Sequence, residues 1–175
     1  GHDPSLSRAE FQNYINSLNL PHRFPGVQAV EFIRRVQASE KTSYESKVRT
    51  DRSINPDGYP AFSVKPGKES NEYYVIDYLE PMLGNEAVFG LDIRTREAAL
   101  IASERARDLG EPIATGRYRL AQEKQSQMGL VIYLPIYEKY RQKRTLAQRR
   151  DELVGFVNVV FRSNDLFVEL LKSGP

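Results

Sequence analysis

Apolar positions recur at helical spacing early in the chain and at strand spacing later. Ser7-Arg8-Ala9-Glu10 has the form of a capping box, in which the Ser7 hydroxyl accepts from the amide three residues on and Glu10 reaches back. Phe11, Tyr14, Ile15 and Leu18 follow at helical spacing and predict a short amphipathic helix that Pro21 ends. After Pro25-Gly26, the stripe Val27, Val30, Phe32-Ile33 and Val36 among charged residues predicts a second helix running to about Tyr44. The texture changes from Arg49. Asn55-Pro56-Asp57-Gly58 is a turn signal, Phe62 and Val64 alternate with polar neighbours, and Pro66-Gly67 makes another turn. Tyr73 to Leu79 is rich in aromatic and β-branched residues and predicts a strand.

Arg96 to Leu109 is the clearest helix, with Gly110 placed for the left-handed residue just past its end. Thr115 to Gln122 is a candidate strand, and Gly129 to Tyr137 and Leu153 to Arg162 are apolar enough to be central in a sheet. The charged stretch between those two, Glu138 to Glu152, is too long for a tight hairpin. A closing helix is expected from near Asn164. Consecutive strands without crossover helices imply an antiparallel sheet, so the fold class is α+β.

Composition narrows the function more than it narrows the fold. With 175 residues and charges of both signs spread along it, the chain can bury a substantial core. A net charge of +2 is too small to point to nucleic acid. The absence of cysteine removes disulfides, thiolate nucleophiles and Cys-based zinc sites. His2 and His22 are the two histidines, too few for a His-based triad or a multi-His metal centre. No phosphate loop, nucleophile elbow or dinucleotide fingerprint is present, so neither an enzyme nor a cofactor is expected. Gly1-His2 reads as a remnant of tag removal, and the chain stops abruptly at Ser173-Gly174-Pro175, as in an excised piece of a longer protein.

Several residues could carry recognition. Asp92 stands in the apolar context Val88-Phe89-Gly90-Leu91-Asp92-Ile93. Buried there, its carboxylate needs a partner, such as a ligand N–H or an arginine; exposed, it would be a helix-start aspartate. In Thr115 to Leu120, alternation puts Thr115, Arg117 and Arg119 on one strand face, either lining a cavity or solvated. The tyrosines, Tyr133 among them, each offer an apolar body and a polar tip. The basic stretch Lys139 to Arg150, flanked by Glu138, Asp151 and Glu152, reads as a solvated loop.

Three segments in order resemble a known family. They are Phe24 to Val30, the run from Phe89-Gly90-Leu91-Asp92 through Arg105 to Gly110 and Thr115 to Leu120, and Gly129 to Tyr137 followed by Leu153 to Val157 and Phe161. Together they look like the CHASE domain, the extracytoplasmic sensor of bacterial diguanylate cyclases and histidine kinases and of plant cytokinin receptors. The resemblance implies N-terminal helices followed by a PAS-like antiparallel sheet subdomain, with the start of a helix leading to a truncated second PAS-like subdomain. The implied divisions are residues 3–48 for the end of the stalk helix and the following helix, 49–162 for the membrane-distal ligand-binding subdomain, and 163–175 for the start of the linking helix. By motif position the family's ligand-binding aspartate and threonine fall on Asp92 and Thr115. Leu134, Phe156 and Asn158 fall on the pocket wall, and Tyr133 and Arg117 join them as candidate contacts. Asn158 and Val159 stand where the plant receptors have glycines, and Tyr133 replaces a smaller residue, which makes the wall bulkier.

The function implied is a non-catalytic sensor of a small molecule (purine-like, or a small carboxylate or amino acid) on the periplasmic side of the cell membrane. It would be anchored by segments outside this chain and paired as a homodimer through the N-terminal helices. The alternative is a protein-interaction or structural module with a packed core.

Overall fold

The computed structural model describes residues 6–116, 118–119 and 128–162. Helix α1 (Arg8–Ser17) opens on the predicted capping box: Glu10 N donates to Ser7 Oγ at 3.2 Å and Ser7 N to Glu10 Oε2 at 2.7 Å. It ends before Pro21, at a left-handed Asn19 (φ 50°). Pro21 sits instead in the first turn of a four-residue helix, α2 (Leu20–Arg23), where its missing N–H costs nothing.

The segment expected to be the second helix is a strand, β1 (Val27–Gln37). Its β-branched residues favour a pleated ribbon, and both of its faces are covered, so the period-two alternation that marks a half-exposed strand is missing. Only α3 (Lys41–Arg49), behind a short 3-10 turn, is helical in that region. The Asn55–Gly58 turn forms as expected, closed by Gly58 N donating to Asn55 O at 2.9 Å. Phe62 and Val64 do not become a strand. They are buried under α3, and just beyond them Lys65 makes an isolated bridge to Leu91.

The remaining elements are β2 (Glu72–Glu80), α4 (Glu97–Leu109), β3 (Ile113–Ala114), β4 (Tyr118–Arg119), β5 (Met128–Tyr137), α5 (Leu146–Asp151) and β6 (Leu153–Arg162). Gly110 closes α4 in the left-handed conformation (φ 69°). Of the strand expected over Thr115–Gln122, the described residues show only the short piece β4, with β3 just before it; Arg117, residues 120–122 and the helix expected from Asn164 lie outside the described residues. The strands form one antiparallel sheet in the order β2-β1-β6-β5-β3, with β4 also pairing β5. An α+β fold with an antiparallel sheet of this kind is what the sequence implied.

The sheet is packed on both faces. Phe11 and Ile15 of α1 meet Val30, Phe32, Tyr78 and Val157 on one face. Val36, Tyr73 and Val75 continue that face under α3. On the other face Ala99, Ala102 and Ala106 of α4 meet Ile33, Tyr74, Ile76, Val131, Tyr133, Phe156 and Val160. At Gly155 the backbones of β1 and β6 come so close that a Cβ would lie 1.9 Å from Ile33 O, so the residue must be glycine for the central pair to close.

Candidate functional site

Register places three polar side chains in one row across the centre of the face that α4 covers. Asn158 of β6 pairs with Glu31 of β1 on one side and Tyr133 of β5 on the other. Directly opposed positions bring Cβ atoms to about 5 Å, so these groups are neighbours. All three are buried: Glu31 is 3% exposed, Asn158 and Tyr133 1%. Apolar residues flank the row, with Phe156 and Val160 on either side of Asn158 along β6 and Val131 beside Tyr133 along β5. Tyr133 meets the Phe156 ring edge-on, with centroids 6.1 Å apart.

The Asn158 amide is the exceptional group. Both its Oδ1 and its Nδ2 are buried, and neither has a hydrogen-bond partner. An amide in that state costs about 1–3 kcal/mol for each unmet group, and a leucine-sized residue would avoid the loss. Two residues along β5 from Tyr133, Thr115 lies beside Val131. Its backbone N donates to Val131 O at 2.9 Å, and its Oγ1 accepts from Val131 N at 3.0 Å. That bond uses the hydroxyl as acceptor and leaves its proton to donate elsewhere.

Asp92 is buried, as the ligand-contact reading required, but it also has a local task. Its Oδ1 accepts from Tyr74 N at 2.9 Å and from Arg94 N at 3.2 Å. These bonds cap the 3-10 helix Ile93–Thr95 and dock it on the outer edge of β2. Gly90, at φ 85°, makes the turn that delivers it, because a Cβ there would lie 2.6 Å from Ser63 O. Burial raises the pKa of the Asp92 carboxyl above its ordinary value, partly offset by the Tyr74 and Arg94 amides. Oδ2 accepts no hydrogen bond among the described residues and is the oxygen left for another partner. Asp92 and Thr115 stand at opposite margins of the sheet, with β2, β1, β6 and β5 between them.

The family model for the CHASE domain matches residues 4–174. The chain belongs to the CHASE domain family. A comparison with curated proteins finds no match. CHASE domains are extracellular sensor domains of receptors and are not themselves catalytic.

Within this CHASE domain the other expected contacts divide. Phe156 joins Tyr133 and Asn158 on the α4 face. Leu134 pairs with Val157, which packs on the α1 face, and is 42% exposed. It therefore points away from that row. Arg117 lies outside the described residues. Glu31 was missed by sequence reasoning because its segment reads as a helix. The signal that could have found it is a lone carboxylate in a β-branched run, Val27 to Val36. Among the described residues no group of three or more His, Asp or Glu could hold a metal ion, and no helix is long and apolar enough to cross a membrane.

A cavity of about 200 Å³ opens on the opposite face, lined by Arg8, Phe11, Tyr59, Tyr78, Glu80 and Met82. Its cation is already committed. Arg8 bonds Asp51 and Asp77 and lies over the rings of Tyr59, Tyr78 and Phe89.

Proposed function

We propose that this CHASE domain senses a small polar molecule bound against the α4 face of the sheet, over the row formed by Glu31, Asn158 and Tyr133. Thr115 and Phe156 border the site, and Asp92 supports its far margin. The observation that carries this reading is the Asn158 amide, which a packed structural core would replace with an apolar side chain. Asn158 lies on β6 and pairs with β1, the strand that follows α1 and α2 from the N-terminal side. A ligand that favours one arrangement of β1 and β6 would therefore bias the position of the N-terminal helices, and through them an output domain across the membrane. A diguanylate cyclase or histidine kinase as output, a homodimer through the N-terminal helices and a periplasmic setting all suit that role.

The test is a thermal-shift screen of the domain against a metabolite library rich in purines, amino acids and carboxylates, with Asn158→Leu alongside. Ligand at a hundredfold above its dissociation constant adds about 2.7 kcal/mol to stability. A stabilising hit that Asn158→Leu abolishes supports the sensor reading. A screen with no hit against the well-folded parent chain would move the assignment to an interaction module.

A further inference from the structure

We infer that the ligand of this face carries a hydrogen-bond donor and an acceptor side by side on an uncharged, planar edge, as in a carboxamide, a lactam or an amidine-type ring edge. The inference rests on the sensor reading above and specifies what its site selects. An asparagine amide presents a carbonyl acceptor and an NH₂ donor side by side, held in one plane. In Asn158 both are buried and both lack partners. A carboxylate could satisfy the Nδ2 donor but would leave Oδ1 facing another acceptor. An ammonium would do the reverse. A planar group with donor and acceptor adjacent meets both at once within the plane of the amide, and it does so whichever way round the amide stands.

The surroundings fit the same class. Along β6 the amide lies between Phe156 and Val160, and across the sheet Val131 and the Tyr133 ring border it. Such walls accept the apolar faces of a flat group and desolvate its edge, which raises the worth of a paired hydrogen bond and the cost of an unpaired one. Asn158 is thus the residue that determines specificity, by leaving a mismatched ligand with an unmet polar atom.

Benzamide, benzoate and benzylamine share one ring and differ in the polar edge, and 2-pyridone supplies a lactam. Each is titrated into the 175-residue chain while the amide and side-chain NH₂ signals are followed by NMR. Benzamide and 2-pyridone are expected to shift the Asn158 NH₂ pair together with the backbone signals of Tyr133 and Phe156. They should bind at least about tenfold more tightly than the charged pair, the loss expected when a buried partner goes unpaired. Asn158→Leu should erase that preference. Benzoate or benzylamine binding this face as well as benzamide would overturn the inference while leaving the sensor reading in place. So would a preference that survives in Asn158→Leu. If no probe moves any signal of the row, Asn158 is satisfied by buried water and the inference fails; a flat metabolite screen in addition would remove the sensor reading as well. The parent-chain titrations decide the matter even where the variant folds poorly.

Discussion

Arg8, at the first position of α1, donates from Nη2 to Oδ1 of Asp77 in β2 at 2.8 Å, joining residues 69 positions apart in the sequence. Asp77 also accepts from Arg34 Nε of β1 at 2.6 Å, and Arg8 Nε reaches Asp51 at 3.0 Å. Two cations and two carboxylates thus close a neutral network, and the Arg8 and Asp77 side chains are 4% and 3% exposed. The N-terminal helix is fastened to the sheet by charge as well as by Phe11 and Ile15.

Removing one member of such a buried set leaves the others uncompensated. Arg8→Met should cost about 3 kcal/mol in urea unfolding, with α1 amides losing hydrogen-exchange protection before the sheet does. Arg8→Lys should recover less than half, because an ammonium cannot donate to Asp51 and Asp77 from one planar fork. A loss below about 1 kcal/mol in Arg8→Met would mean that apolar packing alone holds α1 in place.

Asp92 invites a different experiment from the one its sequence context suggests. A pure ligand contact could be replaced by alanine with little loss of folding. The Oδ1 bonds to Tyr74 N and Arg94 N predict instead that Asp92→Ala costs about 1–3 kcal/mol, because two backbone donors lose their acceptor. Asp92→Asn keeps that oxygen and should cost less than about 1 kcal/mol. Burial raises the Asp92 pKa above the ordinary 3.8, so the native state holds its proton more tightly than the unfolded chain. The destabilisation due to the ionised form is therefore absent below 3.8 and complete above the raised folded value. Asn cannot titrate, so the Asp92→Asn melting temperature should gain on the parent as pH rises through that window. A constant offset across it would show that Asp92 is not destabilised by its burial. Ligand binding lost in Asp92→Asn at unchanged stability would mark Oδ2 as a ligand contact.

Much of this fold could be read from the chain, and the misreadings share one cause. β2, α4, β5 and β6 each carry a pattern that no tertiary contact reverses: a β-branched and aromatic run, a capped amphipathic stretch, two long apolar ribbons. β1 does not. Val27, Val30, Ile33 and Val36 fall three apart by coincidence, and the charges between them that look like a helix's solvent face are taken up inside the fold. Arg34 meets Asp77, Arg35 meets Glu72, and Glu31 lies in the buried row. Those partners are far away in sequence, so their neutralisation cannot be seen along the chain. The same distance hid Glu31 from the candidate site. Asn158, Tyr133 and Phe156 were reached through family likeness, and the unmet hydrogen-bonding of Asn158 is visible only once the strands are paired.

Asp108 ties the end of α4 to α5. Its carboxylate takes Arg150 at 2.7 Å and Arg107 at 2.7 Å, and its carbonyl accepts from Arg149 at 2.9 Å. The hydrogen bonds from Arg150 and then Arg107 hold its carboxyl well below the usual carboxylate range. A depressed folded pKa gives stability that is present above the ordinary 3.8 and is lost as pH falls toward the folded value. Asp108→Asn should therefore be less stable than the parent near neutrality, with the gap narrowing between about pH 4 and pH 2. The pair is partly exposed, so the gap should also shrink in high salt. Parallel melting curves of the two proteins that never converge in acid would assign the effect to packing.

The strongest expectation concerns Asn158 in the absence of any ligand. A buried amide with neither end paired destabilises its own fold, and an apolar side chain of the same branched shape removes that cost without opening a cavity. Asn158→Leu should therefore raise stability by about 1–3 kcal/mol, with a higher melting temperature and an unchanged denaturant slope. Most core substitutions destabilise, so a gain here would be diagnostic: an otherwise well-packed sheet would be carrying a polar group that its own folding opposes. Proteins keep such groups where binding needs them, and stability recovered at the cost of recognition is the expected trade. Asn158→Ala separates the two contributions. It also removes the unmet amide but leaves a cavity, so it should fall below the leucine variant. If Asn158→Leu is instead less stable than the parent, the amide is paired in solution, through water or a rotated neighbour, and the row of Glu31, Asn158 and Tyr133 is part of a structural core.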